Sequence, residues 1–313
     1  MCSVFGLIDF SGALTAKQKN KIINTLAREC EVRGTDATGI AYNYSGRMRI
    51  YKRPLPAHKL RLHIPNGVNV VMGHTRMTTQ GSEKRNYNNH PFSGKCEGSF
   101  ALAHNGVLWN DTDLRMMENL PKTNIETDSY VAVQLLGKEN TLDFASLKAM
   151  AEKVEGSFVF TVLDCEDTVW LVKGNNPLAI FCYDGFLLYA STEALLMQAE
   201  YRLRLHHTDK IGAEEGEILR IDRKGEVTRG NFIPKNTYRH FWRQYPCWPE
   251  SCLMDEPEIT EQDGLLDAAK AMGVSEDEIR ALLDYGCSCA EIEELLYDPS
   301  LLHELTGELL YAY

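Results

Sequence analysis

No stretch of this chain approaches the ~20 consecutive apolar residues that a membrane-crossing helix needs. The first residues also lack the basic-then-apolar order of a secretion signal. These two absences argue against a membrane protein and point to the cytoplasm. The nine cysteines show no paired framework, which fits a reducing compartment. Cys247 and Cys252, with Cys287 and Cys289, follow a Cys-x4-Cys and Cys-x-Cys pattern that is not a usual zinc spacing, so neither a metal nor another cofactor is expected. Basic residues are scarce at one end. Residues 250–313 hold 17 Asp and Glu against 2 Lys and Arg, net −15, while the preceding residues hold 27 acidic and 31 basic, net +4. That imbalance predicts a compositional boundary near Pro249 and argues against a general role in nucleic-acid binding.

What is present describes an ordinary globular protein: 44% hydrophobic and 25% charged residues over 313 positions, enough for one large core and a smaller one. Residues 3–10 form a short apolar run closed by Ser11-Gly12, the pattern of a buried strand. Thr15 can cap a helix on which Ile22, Ile23, Leu26, Ala27 and Cys30 share one face. Residues 42–50, broken by Ser45-Gly46, read as a hairpin, and 68–72 as another short strand. The spacing predicts helices over 130–136 and 146–154, then strands at 156–164, 169–172, 178–183, 186–190 and 217–221. Helices set between groups of strands predict stacked sheets with helices outside, not a strictly alternating parallel fold.

Several positions carry chemistry. Initiator Met is normally trimmed before a small residue, so Cys2 is expected to begin the mature chain, with a thiol and a free α-amine on one residue. That amine, with a pKa of about 8, can take the thiol proton directly or through one water. Gly73-His74-Thr75-Arg76 to Gly81 follows the 68–72 strand, and an Arg among small hydroxyl residues at a strand end suits a carboxylate clamp. His74 reads as a structural residue before a catalytic one. The run 100–109 carries Asn105-Gly106, which reads as a two-residue hairpin turn, and a turn can aim an Asn amide and a Gly N–H at one oxyanion. Asp128 either favours a helix N-terminus or holds a substrate ammonium.

Taken in order, Cys2, Arg33-Gly34-Thr35-Asp36 to Gly39-Ile40-Ala41, Gly73-His74-Thr75-Arg76 to Thr79 and Gly81, His104-Asn105-Gly106 and Glu126-Thr127-Asp128 resemble the class II glutamine amidotransferases over roughly residues 2–200. The resemblance implies an α+β fold, the four-layer αββα sandwich of N-terminal-nucleophile hydrolases. It implies that Cys2 attacks the glutamine side-chain amide and that Asn105 and Gly106 stabilise the oxyanion. Arg76 would bind the α-carboxylate, Asp128 the α-ammonium, and Thr79 would line the pocket. Ser3, Met77-Thr78 and Gln80 depart from the family pattern without touching these roles.

The resemblance leaves about a hundred residues, and no pyrophosphate loop, phosphoribosyl-pyrophosphate motif or pair of sugar-isomerase domains is evident in them. An ammonia acceptor is therefore expected on a separate synthase. The expected organisation is an amidotransferase domain over 2–235, a linker or docking segment over 236–257 that includes the aromatic and basic run 238–245, and a small acidic helical tail over 258–313. In that tail Leu265, Leu266 and Ala269, then Ile279, Leu282 and Leu283, then Ile292, Leu295 and Leu296 recur at helical spacing, predicting a three-helix bundle. Two alternatives stand beside this reading: an N-terminal-cysteine amidohydrolase acting on another amide, and a non-catalytic module that recruits partners.

Overall fold

A computed structural model describes residues 2–235 and, in the C-terminal segment, 265–266, 269–270, 274–285, 287, 289–296, 302–303 and 306–307. The chain divides into two compact units, 1–243 and 244–313.

The first unit opens with β1 (Ser3–Ile8), whose six residues are all buried. Helix α1 (Ala16–Cys30) follows, and Thr15 and Gln18 form a reciprocal capping box at its start, worth about 1 kcal/mol. Strands β2 (Ala37–Tyr44) and β3 (Arg47–Arg53) pair across a tight turn in which Ser45 and Gly46 both take positive φ. Next come β4 (Val70–Arg76), β5 (Phe92–Lys95) and β6 (Ser99–Leu108). Helices α2 (Asp111–Met117), α3 (Tyr130–Lys138) and α4 (Phe144–Ala151) lead to β7 (Gly156–Leu163), β8 (Val169–Lys173), β9 (Ala179–Tyr183) and β10 (Phe186–Ala190). Helix α5 (Glu193–Leu203) and the short strands β11 (Asp209–Lys210), β12 (Glu217–Ile221) and β13 (Val227–Asn231) complete the unit.

The strands form two antiparallel sheets, ordered β11-β9-β10-β1-β4-β2-β3 and β13-β12-β8-β7-β6-β5. The alternation of side chains explains the layers. On β1, Phe5 and Leu7 pack with Ile22, Ile23 and Leu26 of α1 and Leu195 and Leu196 of α5. Val4 and Ile8, on the opposite face of the strand, meet Ala101, Ala103, Val159 and Leu163 of the second sheet. The outer face of that second sheet packs Phe100, Leu102, Phe160 and Trp170 against Val131, Leu135, Leu147 and Met150 of α3 and α4. Helices, sheet, sheet and helices are the four-layer αββα sandwich.

Asn105-Gly106 is where the hairpin reading fails. There is no turn: β6 runs unbroken for ten residues, with Asn105 opposite Val159 and Gly106 opposite Phe158. Gly106 takes φ +142°, and a Cβ there would lie 1.9 Å from the Ser157 carbonyl oxygen. The residue must be glycine because of a strand distortion, not a turn.

A buried ion pair anchors α1 to the sheet. Lys19 Nζ lies 2.8 Å from Asp9 Oδ2 and donates to the Val68 carbonyl at 2.9 Å, with both side chains almost wholly out of water.

In the second unit, α6 (Glu276–Tyr285) and α7 (Cys289–Leu296) bury Ile279, Leu282, Ile292 and Leu296 in one apolar cluster with Leu265, Ala269, Val274 and Leu302. The helix expected around Leu265 is described only at 265–266 and 269–270. The linker over 236–257, with its aromatic run and with Cys247 and Cys252, lies outside the described residues. No helix among the described residues is long and apolar enough to cross a membrane.

Candidate active site

Strand parity brings the predicted residues to one place. Cys2 lies on the same side of β1 as Val4, and Arg76 on the same side of β4 as Val70 and Met72. Asn105 follows Ala101 and Ala103 along β6. Val4, Val70, Met72, Ala101 and Ala103 all belong to the core between the sheets, so Cys2, Arg76 and Asn105 look into the inter-sheet space. All three are buried.

Cys2 is held from both ends. The next strand residue but one, Val4, donates its N–H to Ser191 Oγ at 2.9 Å, and Arg33 Nε donates to the Cys2 carbonyl at 3.3 Å. The thiol donates to the Met77 carbonyl at 3.4 Å. Burial pushes its pKa up; the Met77 contact and the Arg76 charge oppose that rise, and Asp128 adds to it. Sulfur is therefore a thiol at rest and needs a base to become a nucleophile.

Arg76 ends β4 as a buried guanidinium. Nη1 donates to Asn89 Oδ1 at 2.7 Å, and Nη2 to the carbonyls of Gln80 at 2.6 Å and Gly81 at 3.2 Å. Among the described residues this engages three of the five N–H groups and leaves two for a ligand. Burial lowers its pKa, while Cys2 and Asp128 act in the opposite direction, which places both within electrostatic reach. The Arg33–Asp36 loop packs against and hydrogen-bonds this corner. A Cβ on Gly34 would lie 2.5 Å from the Arg76 carbonyl carbon, and Asp36 accepts from the Thr78 N–H at 2.7 Å while donating its own N–H to the Arg76 carbonyl at 2.9 Å.

Asn105 is the most telling group. Its side-chain amide is completely buried, yet neither Nδ2 nor Oδ1 has a hydrogen-bond partner among the described residues. Folding normally satisfies such groups, and leaving one unpaired costs about 1–3 kcal/mol. Meanwhile the Asn105 main chain is fixed, because Asn176 Nδ2 donates to its carbonyl at 2.9 Å.

Asp128 precedes α3, but its carboxylate does not cap that helix. Oδ2 accepts from the Leu108 N–H of β6 at 2.7 Å and Oδ1 from Ser129 Oγ at 3.2 Å; Ser129 Oγ in turn lies 2.7 Å from His104 Nδ1. Thr79 is the predicted residue that does not join the group, since it stands exposed in the loop after β4. Its neighbour Thr78 has a buried hydroxyl without a partner among the described residues.

His74 is buried with Nε2 on the His104 carbonyl at 2.9 Å and its ring 4.2 Å from that of His90. Burial lowers its pKa to about 3, so the ring stays neutral near pH 7. That is a structural histidine. Sequence reasoning missed Asn176, Asn88 and Asn89, because polar residues in loops carry no periodic signal. An Asn-Asn pair just before His90-Pro91 is the trace available for the last two.

Comparison with known proteins agrees with this geometry. A family described as "Glutamine amidotransferase domain" matches residues 74–198, a span that contains Arg76, Asn105, Gly106 and Asp128. The chain is 28% identical over 262 residues to glutamine–fructose-6-phosphate aminotransferase (isomerizing) of Staphylococcus aureus, covering 77% of this chain and 42% of that protein. It is also 28% identical over 238 residues to the Sulfurisphaera tokodaii enzyme of the same name, covering 72% and 39%. The chain thus spans less than half the length of these relatives. Among solved structures, glutamine phosphoribosylpyrophosphate amidotransferase from B. subtilis superposes with a TM-score of 0.58 at 20% identity over 75% of this chain and 50% of that one. A likeness at that identity speaks for the fold.

Proposed function

We propose that this chain, which carries a class II (N-terminal-nucleophile) glutamine amidotransferase domain, hydrolyses the side-chain amide of free glutamine with Cys2 as nucleophile. The observation that carries the reading is the fully buried Asn105 amide, unpartnered among the described residues and facing the same inter-sheet space as the Cys2 thiol.

The chemistry follows from the groups at hand. Once Met1 is removed, the Cys2 α-amine takes the thiol proton as sulfur attacks the amide carbon. The raised thiol pKa makes this transfer part of the attack. The oxyanion is received by the Asn105 amide with the Gly106 N–H, each donor contributing about 3 kcal/mol in comparable sites. As the C–N bond breaks, the α-ammonium returns the proton to the leaving nitrogen, giving ammonia and a γ-glutamyl thioester. Water, deprotonated by the same amine, attacks the thioester and releases glutamate and the thiol. Arg76 is assigned to the α-carboxylate and Asp128 to the α-ammonium. Thr79 is assigned to the lining of the same pocket, which it reaches by an inward movement of its loop with glutamine.

We further propose that ammonia passes to a synthase separate from residues 1–313, and that the protein works in the cytoplasm without nucleic acid, membrane, metal or cofactor. Residues 2–235 would be the glutaminase, 236–257 a linker or docking segment and 258–313 an acidic helical tail. Glutaminase activity of the isolated chain is then expected to rise when the partner is added.

Intact-mass analysis with 6-diazo-5-oxo-norleucine tests the core of this reading. Loss of Met1 and one glutamine-protectable adduct, absent in Cys2→Ala, is the expected result. Retained Met1, or labelling indifferent to glutamine and to Cys2→Ala, would overturn it and favour a non-catalytic module.

A further inference from the structure

The α-carboxylate and α-ammonium of an amino acid sit on one carbon, so their binders must be held at a fixed separation. Arg76 and Asp128 come from different elements, the end of β4 and the segment before α3. Two adjacent asparagines join them. Both are completely buried in a segment with no regular structure other than a single 3-10 turn.

Asn88 ties the loop after β4 to the segment that ends in Asp128. Its Nδ2 donates to the Ser82 carbonyl at 3.1 Å and to Glu126 Oε2 at 2.8 Å, and its Oδ1 accepts from the Glu126 N–H at 3.0 Å. Its carbonyl accepts from Thr127 Oγ1 at 2.9 Å, one residue before Asp128. Asn89 holds the guanidinium itself. Its Oδ1 accepts from Arg76 Nη1 at 2.7 Å, while its Nδ2 donates to the Glu83 carbonyl at 2.8 Å. Lys52 Nζ bonds to the Asn89 carbonyl and, at 3.0 Å, to that of Pro91, which pins the dipeptide to β3.

We infer that Asn88 and Asn89 are positioning residues that set the distance between Arg76 and Asp128, and with it the demand for a free α-amino acid. This rests on the assignment of those two residues to glutamine made above. Neither asparagine is given a role in bond breaking. Their loss must therefore weaken recognition while sparing the thiol.

The test compares two electrophiles on Cys2. 6-Diazo-5-oxo-norleucine carries the α-amino and α-carboxylate groups, whereas iodoacetamide carries neither. Asn88→Ala and the isosteric Asn89→Asp are the variants. Asn89→Asp keeps an acceptor for Nη1 but places a carboxylate where it competes with the substrate's. Expected is a KM for glutamine raised roughly 10- to 100-fold with kcat changed by less than about threefold. Labelling by the diazo-ketone should slow in parallel, with alkylation by iodoacetamide unchanged. If both electrophiles slow together, or kcat falls while KM holds, the asparagines serve the fold or the chemistry and the inference is wrong. Unaltered kinetics in Asn89→Asp also overturn it, and that variant reads the outcome even if Asn88→Ala does not fold. If the unmodified protein shows no glutamine-protectable labelling, it is the functional reading that has failed.

Discussion

Replacing Asn105 by leucine separates function from stability in opposite directions. The Asn105 amide is fully buried and unpartnered among the described residues, so the folded state bears its desolvation without a compensating hydrogen bond from them. Leucine has a similar volume and no polar atoms. Removing an unpaired buried amide recovers about 1–3 kcal/mol, and part of that is returned through imperfect packing against Ala103 and its neighbours. The net expectation is a protein as stable as the parent, or more stable by about 1 kcal/mol. Loss of an oxyanion donor, by contrast, costs about 10²–10³ in kcat. Urea denaturation followed by tryptophan fluorescence reads the first quantity, and glutamate release at saturating glutamine the second. A variant destabilised by several kcal/mol at unchanged m-value would mean that the amide has partners in the folded state. A kcat within a few-fold of the parent would mean that it does not face the oxyanion. Either result refutes the reasoning.

Gly106→Ala places a Cβ 1.9 Å from the Ser157 carbonyl oxygen at φ +142°, so a loss of about 3 kcal/mol or more in thermal or urea unfolding is expected; an unchanged midpoint would show that β6 relaxes freely. Asp9→Ala leaves the Lys19 ammonium buried without its counter-ion, which predicts a loss of about 3–5 kcal/mol; the double variant Asp9→Ala with Lys19→Met should recover much of it in the same assay. Burial holds His74 at about 3 and keeps His90 and His104 below their ordinary values. The unfolded chain takes up protons near pH 6.5 that the folded one refuses, so stability is full above that pH and falls as pH drops toward 3. His74 alone accounts for about 1.4 kcal/mol per pH unit, roughly 2 kcal/mol at pH 5. A urea midpoint that stays flat between pH 7 and pH 5 would contradict this.

The candidate site is more legible in the sequence than its surroundings are. Cys2, Arg76, Asn105 and Asp128 stand out because a thiol, a guanidinium, an amide and a carboxylate at strand ends and loops have specific chemistry. The alternation of β1, β4 and β6 then determines that the first three share one space. The geometry of Asn105-Gly106 was not legible. A two-residue turn and a glycine-distorted strand share the same local pattern, and only the pairing with β7, fifty residues away in sequence, separates them. Helix α5 escaped for a different reason. Leu195, Leu196 and Ala199 are at helical spacing, but the segment directly follows β10, and its buried face is short.

The loop corner shows what sequence reading by residue type omits. Thr79 enters as a pocket residue through the family resemblance alone, and it stands exposed. The Arg76 side chain is instead held by Asn89 and by two backbone carbonyls. A guanidinium already gripped on three N–H groups loses little rotamer entropy when it meets a carboxylate, because its orientation is fixed during folding. The same grip has an electrostatic cost: Lys52, half-buried close to Arg76, is lowered to about 8, first by loss of water and then by that positive charge. Below pH 8 the folded protein carries two neighbouring cations, one buried and one half-buried. Between about pH 8 and 10.5 the unfolded chain retains a proton that folded Lys52 has released, so stability rises with pH through that window. Lys52→Met removes one of the two charges together with its hydrogen bonds to Asn89 and Pro91. It should therefore abolish this rise in a urea titration between pH 7.5 and 9.5, while the acid limb governed by the histidines persists and softens slightly, because the Lys52 charge is the smallest of the causes that lower His74 and His90. A variant that keeps the alkaline rise would show that some other group, and not the lysine behind the asparagine pair, senses Arg76.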